Sequence, residues 1–234
     1  MAPGHPLDNP FWSALHTLHA GLALGSGDVL RYPADVAPFL GVAHADVDVA
    51  DALDGLVPAG DEVLLLGVAP ARLPTGWTLA PFDDLAQMVC EQELAAVEGP
   101  EIVELGEPQR ADVLALTALV YPHYFRPHTM RLGRYFGMYL VDESGDARLA
   151  AMIGERLGAP RYREMSAICT HPDFLGRGHA RRLTAMLTND TLRRGDMPFL
   201  HVSQANTRAK SLYEAMGYRL RRTIPFWSLR RSGN

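Results

Sequence analysis

The feature that most constrains the fold of this chain is a strand that runs into a glycine-containing loop and then directly into a helix. Residues 163–180 read REMSAICTHPDFLGRGHA, an apolar strand pattern that is followed by a loop with Gly176 and Gly178. Glycine lets the backbone approach a ligand closely, and a helix start offers unpaired N–H groups at the positive end of its dipole. The segment is therefore a predicted anion site that would fit a diphosphate.

Two common phosphate motifs do not match these residues. A Walker loop needs Lys and then Ser or Thr after its last glycine, but Gly178 is followed by His179 and Ala180. A dinucleotide fingerprint needs three glycines in the spacing GxGxxG, and Arg181 stands where the third would be. The residues therefore exclude both motifs.

The loop instead resembles motif A of the GNAT acyltransferase superfamily, Gln/Arg-x-x-Gly-x-Gly/Ala, which cradles the pyrophosphate of acetyl-CoA. In residues 175–180, LGRGHA, Gly178 and Ala180 match the two small positions, whereas Leu175 replaces the usual Gln or Arg. Because relatives grip the phosphate largely through backbone amides, the resemblance implies a working cradle that lacks one side-chain contact. Taken alone, such a turn is also a common connector between a strand and a helix.

A second segment is similar to motif B of the same superfamily, N-x-x-A-x-x-x-Y-x-x-x-G-[FY]. Residues 206–218 read NTRAKSLYEAMGY, in which Asn206 is a suitable helix cap and Gly217 stands where a helix stop belongs. A predicted strand at residues 199–202 lies just before it. Since both motifs occur in the order and spacing of the superfamily, the chain is identified as a member.

The resemblance implies the GNAT fold, an α/β (α+β) architecture with a mixed, mostly antiparallel central sheet flanked by helices, here with an N-terminal α/β extension. Hydrophobic periodicity predicts elements in the order β-α-β-β-β-α-β-α-β. The predicted strands cover residues 102–105, 136–141, 147–156, 164–170, 199–202 and 218–229, and the predicted helices cover residues 110–119, 178–194 and 207–216. We therefore expect a complete acetyltransferase domain over residues 101–234.

Residues 1–100 contain no motif A. We predict helices at 11–24 and 46–56, a strand at 62–68, and a strand-like run at 78–89 that is interrupted at residues 83–84. A region of this kind resembles the degenerate N-terminal half-domain of the GNAT branch similar to glycine N-acyltransferases. Three roles stay open for it: shaping the acceptor pocket, forming a homodimer contact, or only packing against the core.

Charge is unevenly distributed along the chain, although the formal net charge is only -5. Residues 1–100 carry 2 basic and 14 acidic side chains, whereas residues 101–234 carry 20 basic and 13 acidic ones. A basic half suits a polyanionic ligand such as coenzyme A. Nucleic acid is the alternative for a basic surface, but the arginines are scattered over several elements and no recognition motif accompanies them.

Composition places the chain among compact enzymes. With 234 residues, of which 47% are hydrophobic, it can bury a sizeable core. Its two cysteines, Cys90 and Cys169, lie in apolar segments and form no disulfide framework. The N-terminus lacks a basic region followed by an apolar run, and no stretch approaches the roughly 18 apolar residues of a membrane span. We therefore expect a soluble, cytoplasmic enzyme.

The resemblance also implies the partners and the residues that bind the donor. Acetyl-CoA would be the acyl-donor cosubstrate, and a small-molecule or peptide amine would be the acceptor. The residues expected to bind the coenzyme are Ile168, Cys169, Thr170, Gly176, Arg177, Gly178, His179, Ala180, Arg181, Asn206 and Tyr213.

Transfer of an acyl group from a thioester to an amine needs three roles to be filled. Something must take the ammonium proton, a donor must stabilise the oxyanion, and the departing thiolate benefits from a proton. Tyr213 occupies the motif B tyrosine that in relatives lies near the coenzyme sulfur, and a phenol with a pKa around 10 can donate to a thiolate. The alternative is that its ring only packs on the core.

Glu164 is the candidate for the general base, because some superfamily members place a glutamate at the start of the motif A strand. A carboxylate with an ordinary pKa near 4.3 is a poor base at pH 7 unless burial raises that pKa. Glu155 on the preceding strand and His201 on the following strand are rivals, and imidazole titrates near neutrality. Relatives also often work through water, and an exposed strand-end charge is the alternative for Glu164.

Other residues are weaker candidates for a functional role. Cys169 has no adjacent basic group, so a buried inert thiol is favoured over a nucleophile. The pairs His16 with His19 and His123 with His128 lack a third ligand, and we expect no metal. An aromatic and basic cluster follows the first helix of the predicted domain, where relatives bind the acceptor, and it would form either a lid or a plain packed loop. Its members are Tyr121, His123, Tyr124, Phe125 and Arg126.

These residues together predict a cytoplasmic N-acetyltransferase that moves an acetyl group from acetyl-CoA to a primary amine by direct attack in a ternary complex. Transfer of a longer acyl group to an amino acid is the alternative among enzymes. A catalytically silent acyl-CoA-binding module is the alternative from another class, which Leu175 favours and which Asn206 and Tyr213 oppose.

Overall fold

The computed structural model describes residues 4–120, 124–142 and 144–231, and within them the chain forms five α-helices and thirteen strands. The helices are α1 (Pro10–His16), α2 (Ala50–Leu56), α3 (Arg110–Val120), α4 (His179–Arg193) and α5 (Thr207–Met216). Two of them agree closely with the motifs that predicted them. Helix α5 has the predicted bounds, with Asn206 and Gly217 as the caps that the sequence indicated, and α4 differs from its prediction by one residue at each end because Gly178 caps it in the left-handed conformation.

The strands belong to three sheets. They are β1 (Leu24–Ser26), β2 (Val29–Arg31), β3 (Leu40–Val42), β4 (Glu62–Leu66), β5 (Trp77–Pro81), β6 (Leu85–Val89), β7 (Val103–Leu105), β8 (Tyr135–Val141), β9 (Ala147–Ala159), β10 (Tyr162–Thr170), β11 (Met197–Ser203), β12 (Arg219–Ile224) and β13 (Phe226–Arg231). The largest sheet has the order β12-β6-β11-β10-β9-β8-β7, and only the β10–β11 pair is parallel. This mixed, mostly antiparallel sheet with helices against it confirms the predicted fold class.

Two strands cross the boundary that we expected at residue 100. Strand β6 comes from the N-terminal region, yet it lies between β11 and β12, with Met88 opposite both Leu200 and Leu220. Strand β13 comes from the C-terminal end, yet it lies between β4 and β5, with Leu229 opposite Val63 and Leu79. The seven-stranded sheet is therefore completed by a strand from outside residues 101–234.

The prediction of one last strand over residues 218–229 was wrong. The segment divides at Pro225 into β12 and β13, which belong to different sheets. Proline has no N–H to donate to a strand ladder, so the chain leaves one sheet there and enters another. Strands β5 and β6 also belong to different sheets, and they are separated at residues 83–84, where the sequence predicted an interruption.

The first predicted helices are shorter in the structure than in the sequence pattern. Helix α1 ends at His16 rather than at residue 24, and α2 begins at Ala50 rather than at residue 46. The three-residue strands β1 to β3 were not predicted, because so short a segment shows no measurable alternation. Within the described residues, no helix has the length and apolar character needed to cross a membrane.

Candidate active site

Strands β10 and β11 run side by side over only three residue pairs and then separate. Tyr162, Arg163 and Glu164 lie opposite residues 197–199, and the described pairing between the two strands ends there, although β10 continues to Thr170 and β11 to Ser203. Backbone groups that face such a gap need partners from elsewhere. The gap is therefore a place where an extended ligand could add its own hydrogen bonds to both strand edges.

A bulge in β10 lies beside this gap. The register against β9 shifts between Ser166 and Cys169, and Ala167 has a positive φ of 50°. A residue other than glycine in the left-handed region costs about 1–3 kcal/mol. A bulge changes the direction of backbone groups that would otherwise pair with the neighbouring strand. The bulge therefore directs backbone groups of residues 166–168 away from β9.

The gap opens into a cavity of about 440 Å³. One part of its wall comes from the two diverging strands and from α5, and the other part comes from the N-terminal region, the end of α3 and the start of β13. The first part contains Met165, Ser166, Ala167, Ile168, Cys169, Leu200, His201, Val202, Ser203, Asn206, Ala209 and Tyr213. The second part contains Phe11, Phe39, Leu66, Leu85, Val120, Tyr124 and Phe226, with Arg156 from β9 beside them.

The glycine loop has the conformation and the open space that an anion cradle needs. Gly176 and Gly178 have φ values of +77° and +79°, and a Cβ built on either would meet nothing within 4 Å. Gly178 caps α4, whose first helical bond runs from the Arg182 N–H to the Gly178 carbonyl. The N–H groups of the first turn precede that bond and point away from the helix, as at any helix start. The residues present therefore fit a phosphate group.

Side chains around this loop have different roles. The Arg177 guanidinium lies 5.3 Å from the centre of the Phe174 ring at the loop surface. The Arg182 side chain donates to the carbonyls of Val97 and Pro100, so it ties α4 to the preceding segment. His179 is buried as a residue, and burial lowers the pKa of its imidazole.

The other predicted donor-binding residues lie along the gap. Ile168 and Cys169 line the cavity, whereas Thr170 lies at the strand end outside its lining. Burial raises the pKa of the Cys169 thiol to about 12, so the thiolate that a nucleophile needs is strongly disfavoured. Asn206 lines the cavity, and its Oδ1 accepts a hydrogen bond of 3.1 Å from the Ala209 N–H as the cap of α5.

Tyr213 lies both at the cavity and in the core. It projects from α5 into the cavity lining, and its ring also packs in the core with a centroid 5.9 Å from that of Tyr218. The structure therefore brings Tyr213, Asn206 and the gap between the strands together around one cavity.

Glu164 is fully buried and held by two partners. The Arg156 guanidinium makes a bidentate pair with its carboxylate at 2.8 Å and 2.7 Å, and His201 Nδ1 lies 2.7 Å from Oε1. Burial alone would raise the pKa of Glu164, but the charge and hydrogen bonds of Arg156 and the contact with His201 outweigh it and lower that pKa to about 2. These contacts disfavour Glu164 as a proton acceptor near neutral pH.

His201 is in contact with Glu164, and its ring is fixed from the other side by Gln87 of β6. Gln87 Nε2 donates to the Leu7 carbonyl at 2.7 Å and lies 2.9 Å from His201 Nε2, while its Oε1 accepts from Arg221 at 2.7 Å. The arrangement that satisfies all of these contacts places the His201 proton on Nδ1, which donates to the Glu164 carboxylate, and makes Nε2 an acceptor. Both ring nitrogens are therefore engaged.

Glu155 points to the opposite face of β9 from Arg156, as neighbouring residues on a strand do. It pairs with Arg134 at 2.6 Å, and Arg134 also contacts Asp190 at 2.6 Å. It does not line the cavity, so the structure does not bring this rival for the base role to the site.

The predicted aromatic and basic cluster is only partly at the cavity. Tyr121 and His123 lie outside the described residues. Tyr124 lines the cavity, Phe125 packs edge-on against Tyr135 at 5.8 Å, and Arg126 is outside the lining.

The histidines singled out by the sequence have ordinary partners. His19 contacts the Tyr32 hydroxyl and the Leu132 carbonyl at 2.7 Å and 3.0 Å, and His128 contacts Asp35 at 2.7 Å. In the part of the chain that the structure describes, no group of three His, Cys, Asp or Glu side chains is placed to hold a metal ion.

Several residues of the site were not identified from the sequence. Arg156 could have been identified as a candidate, since it is a charged residue in a mostly buried strand, where a charge needs a partner. Gln87, Phe39 and Phe226 carry no local signal, because their positions depend on which strands become neighbours.

Comparison with known proteins agrees with this architecture. The model of the FR47-like family matches residues 141–227. A GNAT-family protein from Novosphingobium aromaticivorans is 33% identical, with 98% of this chain and 100% of that chain covered and a TM-score of 0.85. A GCN5-related N-acetyltransferase from Kribbella flavida shares the fold at 17% identity, with 96% and 95% covered and a TM-score of 0.61. Another from Sphaerobacter thermophilus has 15% identity, 99% and 95% covered, and a TM-score of 0.54.

The chain therefore belongs to the GNAT family, as its two motifs predicted. As a GNAT acyltransferase it moves an acyl group from an acyl-CoA to an amine. A comparison with curated proteins finds no match. The resemblance to the branch of glycine N-acyltransferases stays a prediction.

Proposed function

We propose that this protein transfers an acetyl group from acetyl-CoA to a primary amine, by direct attack of the amine on the thioester in a ternary complex. The observation that carries the proposal is the single cavity of about 440 Å³, which joins the gap between β10 and β11 to a pocket walled by the N-terminal region. Because the gap and this pocket belong to one cavity, donor and acceptor can be bound at the same time.

The donor side would be held mainly by the backbone. The glycine loop and the first turn of α4 would take the pyrophosphate, and the unpaired edges of β10 and β11 would take the extended pantetheine arm, with Asn206 beside it. We also propose a cytoplasmic location, because Cys90 and Cys169 are both free thiols.

The proton balance of the transfer assigns different roles to Tyr213 and Glu164. The amine nitrogen forms a bond to the acyl carbon, the carbon–sulfur bond breaks, and Tyr213 supplies a proton to the leaving thiolate. The ammonium first gives one proton to water so that the amine can attack, and the second proton that the nitrogen loses passes through water to reprotonate the Tyr213 phenolate. Glu164 acts as a positioning residue, because it holds Arg156 on one side and His201 on the other while its own pKa is about 2.

The test is thiol release by the full chain with acetyl-CoA and a panel of primary amines, combined with mass spectrometry of the acetylated amine and calorimetry of acetyl-CoA binding. We expect amine-dependent thiol release. Binding of acetyl-CoA without acetylation of any amine would identify a silent acyl-CoA-binding module. A higher kcat/KM with octanoyl-CoA than with acetyl-CoA would identify a longer-chain acyltransferase instead.

The pH dependence of the same assay tests the route of the proton. If water takes it, the acidic limb of kcat/KM follows the ammonium pKa of the amine, so amines that differ in that pKa give different limbs. A limb that stays at one pH for every amine, and that disappears in Glu164→Gln, would restore Glu164 as the base.

A further inference from the structure

The acceptor side of the cavity is apolar and aromatic. Apart from the diverging strands and α5, the described part of its wall consists of seven side chains without a formal charge and of Arg156. Among the described residues that line the cavity, none is Asp or Glu. Pockets that recognise polycations present carboxylates to them, since an ammonium group that leaves water needs a partner, so this wall is unsuited to a second ammonium group.

The aromatic part of this wall is held in place by its own contacts. The Phe11 and Phe39 rings stack with centroids 4.2 Å apart and an interplanar angle of 11°. Phe226 contacts Tyr124 edge-on at 6.4 Å and Phe82 at 5.0 Å. Phe11 and Phe39 are almost completely buried. The wall is thus preformed, and a preformed apolar wall favours an apolar ligand body.

Arg156 is the cation that lies on this wall, and it is already paired with a carboxylate. The bidentate contact to the Glu164 carboxylate neutralises its charge, and the Phe39 ring, with its centre 5.3 Å away, adds a cation–π contact. The carboxylate of an amino acid acceptor would have to compete with Glu164 for this guanidinium. A carboxylate on the acceptor is therefore disfavoured as well as a second ammonium group.

We infer that the acceptor is a primary amine on an apolar body, with no carboxylate and no second ammonium group. This inference rests on the proposed function and narrows its acceptor. It also gives the N-terminal region its role, because Phe11, Phe39, Leu66 and Leu85 belong to residues 1–100.

Two matched pairs of acceptors test the inference in the wild-type protein. 2-Phenylethylamine and phenylalanine share the ring and differ by the carboxylate, and butylamine and 1,4-diaminobutane differ by the second ammonium group. We expect kcat/KM to be at least about tenfold higher for the first member of each pair, the usual scale for one unpaired charge in an apolar pocket. Equal or reversed values with measurable acetylation would overturn the inference and leave acetyl transfer intact.

A pair of variants at the end of α3 tests whether the wall of this cavity causes the discrimination against a second ammonium group. Val120 lines the cavity and is 37% exposed, whereas Leu119 is 56% exposed and lies outside the lining. Val120→Asp should raise kcat/KM for 1,4-diaminobutane relative to butylamine by about tenfold, since it places a carboxylate at the cavity. Leu119→Asp adds the same charge one residue away and should leave the ratio unchanged. The same shift in both variants would overturn the assignment of this cavity to the acceptor.

A readout without turnover separates this inference from the proposed function. Calorimetry of 2-phenylethylamine and phenylalanine binding to the protein saturated with coenzyme A measures the preference even if no amine is acetylated. Tighter binding of 2-phenylethylamine, weakened by Phe226→Ala, supports the inference. Equal binding of the two compounds, or none, contradicts it whether or not acetyl transfer occurs.

Discussion

The two sides of the cavity are built in different ways. The proposed donor side consists of two consecutive strand–helix units, β10–α4 and β11–α5, and offers mainly backbone groups, a bulge and two glycines with positive φ. The proposed acceptor side consists of side chains from α1, the residue before β3, β4, β6, β9, the end of α3 and the segment after it, and β13, which are far apart in the sequence. Backbone groups can hold one constant ligand with little dependence on residue type, whereas selectivity for an acceptor needs particular side chains.

A series of hydrogen-bonded polar side chains lies between these two sides of the cavity and links them. Arg156, Glu164 and His201 lie on the core strands, and Gln87 and Arg221 continue the series through β6 and β12. Arg221 then contacts Asp8, near the start of the N-terminal region, at 2.7 Å. A change in this series is therefore expected to disturb both sides of the cavity, whereas changes elsewhere should affect only one.

The largest expected effect is on stability, in Glu164→Gln. Removing one member of a buried ion pair leaves Arg156 charged and uncompensated, which costs about 3–5 kcal/mol of the free energy of unfolding. Urea denaturation measures this loss. Glu155→Gln is the matched control, because its partner Arg134 keeps Asp190 at 2.6 Å, and it should lose clearly less.

The pH dependence of unfolding gives a second readout of the same variant. The pKa of Glu164 is lowered from an ordinary 4.5 to about 2 in the folded protein, so its contribution is fully present above pH 4.5 and is lost as pH falls toward about 2. The difference in stability between the wild type and Glu164→Gln should shrink over that range. A difference that does not depend on pH would show that the Glu164 charge does not stabilise the fold.

The next effect is on the chemical step, in Tyr213→Phe. Loss of the proton donor should lower kcat by about 100-fold, as is usual for general acid catalysis, with little change in acetyl-CoA affinity. Tyr218→Phe is the control, since its hydroxyl contacts Thr188 at 2.6 Å in the core and it does not line the cavity. It should keep kcat and lose a little stability. Equal kcat in both variants, with chemistry rate-limiting, would show that Tyr213 only packs.

The smallest effect is on donor affinity, in Gly178→Ala. The methyl group disturbs the left-handed cap and occupies the loop opening, so acetyl-CoA should bind about tenfold more weakly by calorimetry. Gly195→Ala is a close control, because Gly195 has a φ of +82° and equally open space but follows the other end of α4. Both variants should lose about 1–2 kcal/mol of stability. Unchanged affinity in Gly178→Ala would remove the loop from the donor site.

Prediction from the sequence succeeded where the decisive interactions are local. The bounds of α5 followed from Asn206 and Gly217, and the start of α4 followed from Gly178, because caps act over one helical turn. It failed at residues 218–229, since strand alternation continues past Pro225 without showing that the partner strand changes there.

By itself, the sequence determined the family, the fold class, the glycine loop before α4 and the motif B helix, because each is encoded in a continuous segment with its own caps and spacing. Only the tertiary structure decided that β6 and β13 exchange sheets, that Gln87 engages His201, and that Glu164 is paired with Arg156. The choice among possible strand neighbours depends on packing between segments more than 100 residues apart in the sequence, as for Gln87 and His201, and no local pattern of residues specifies it.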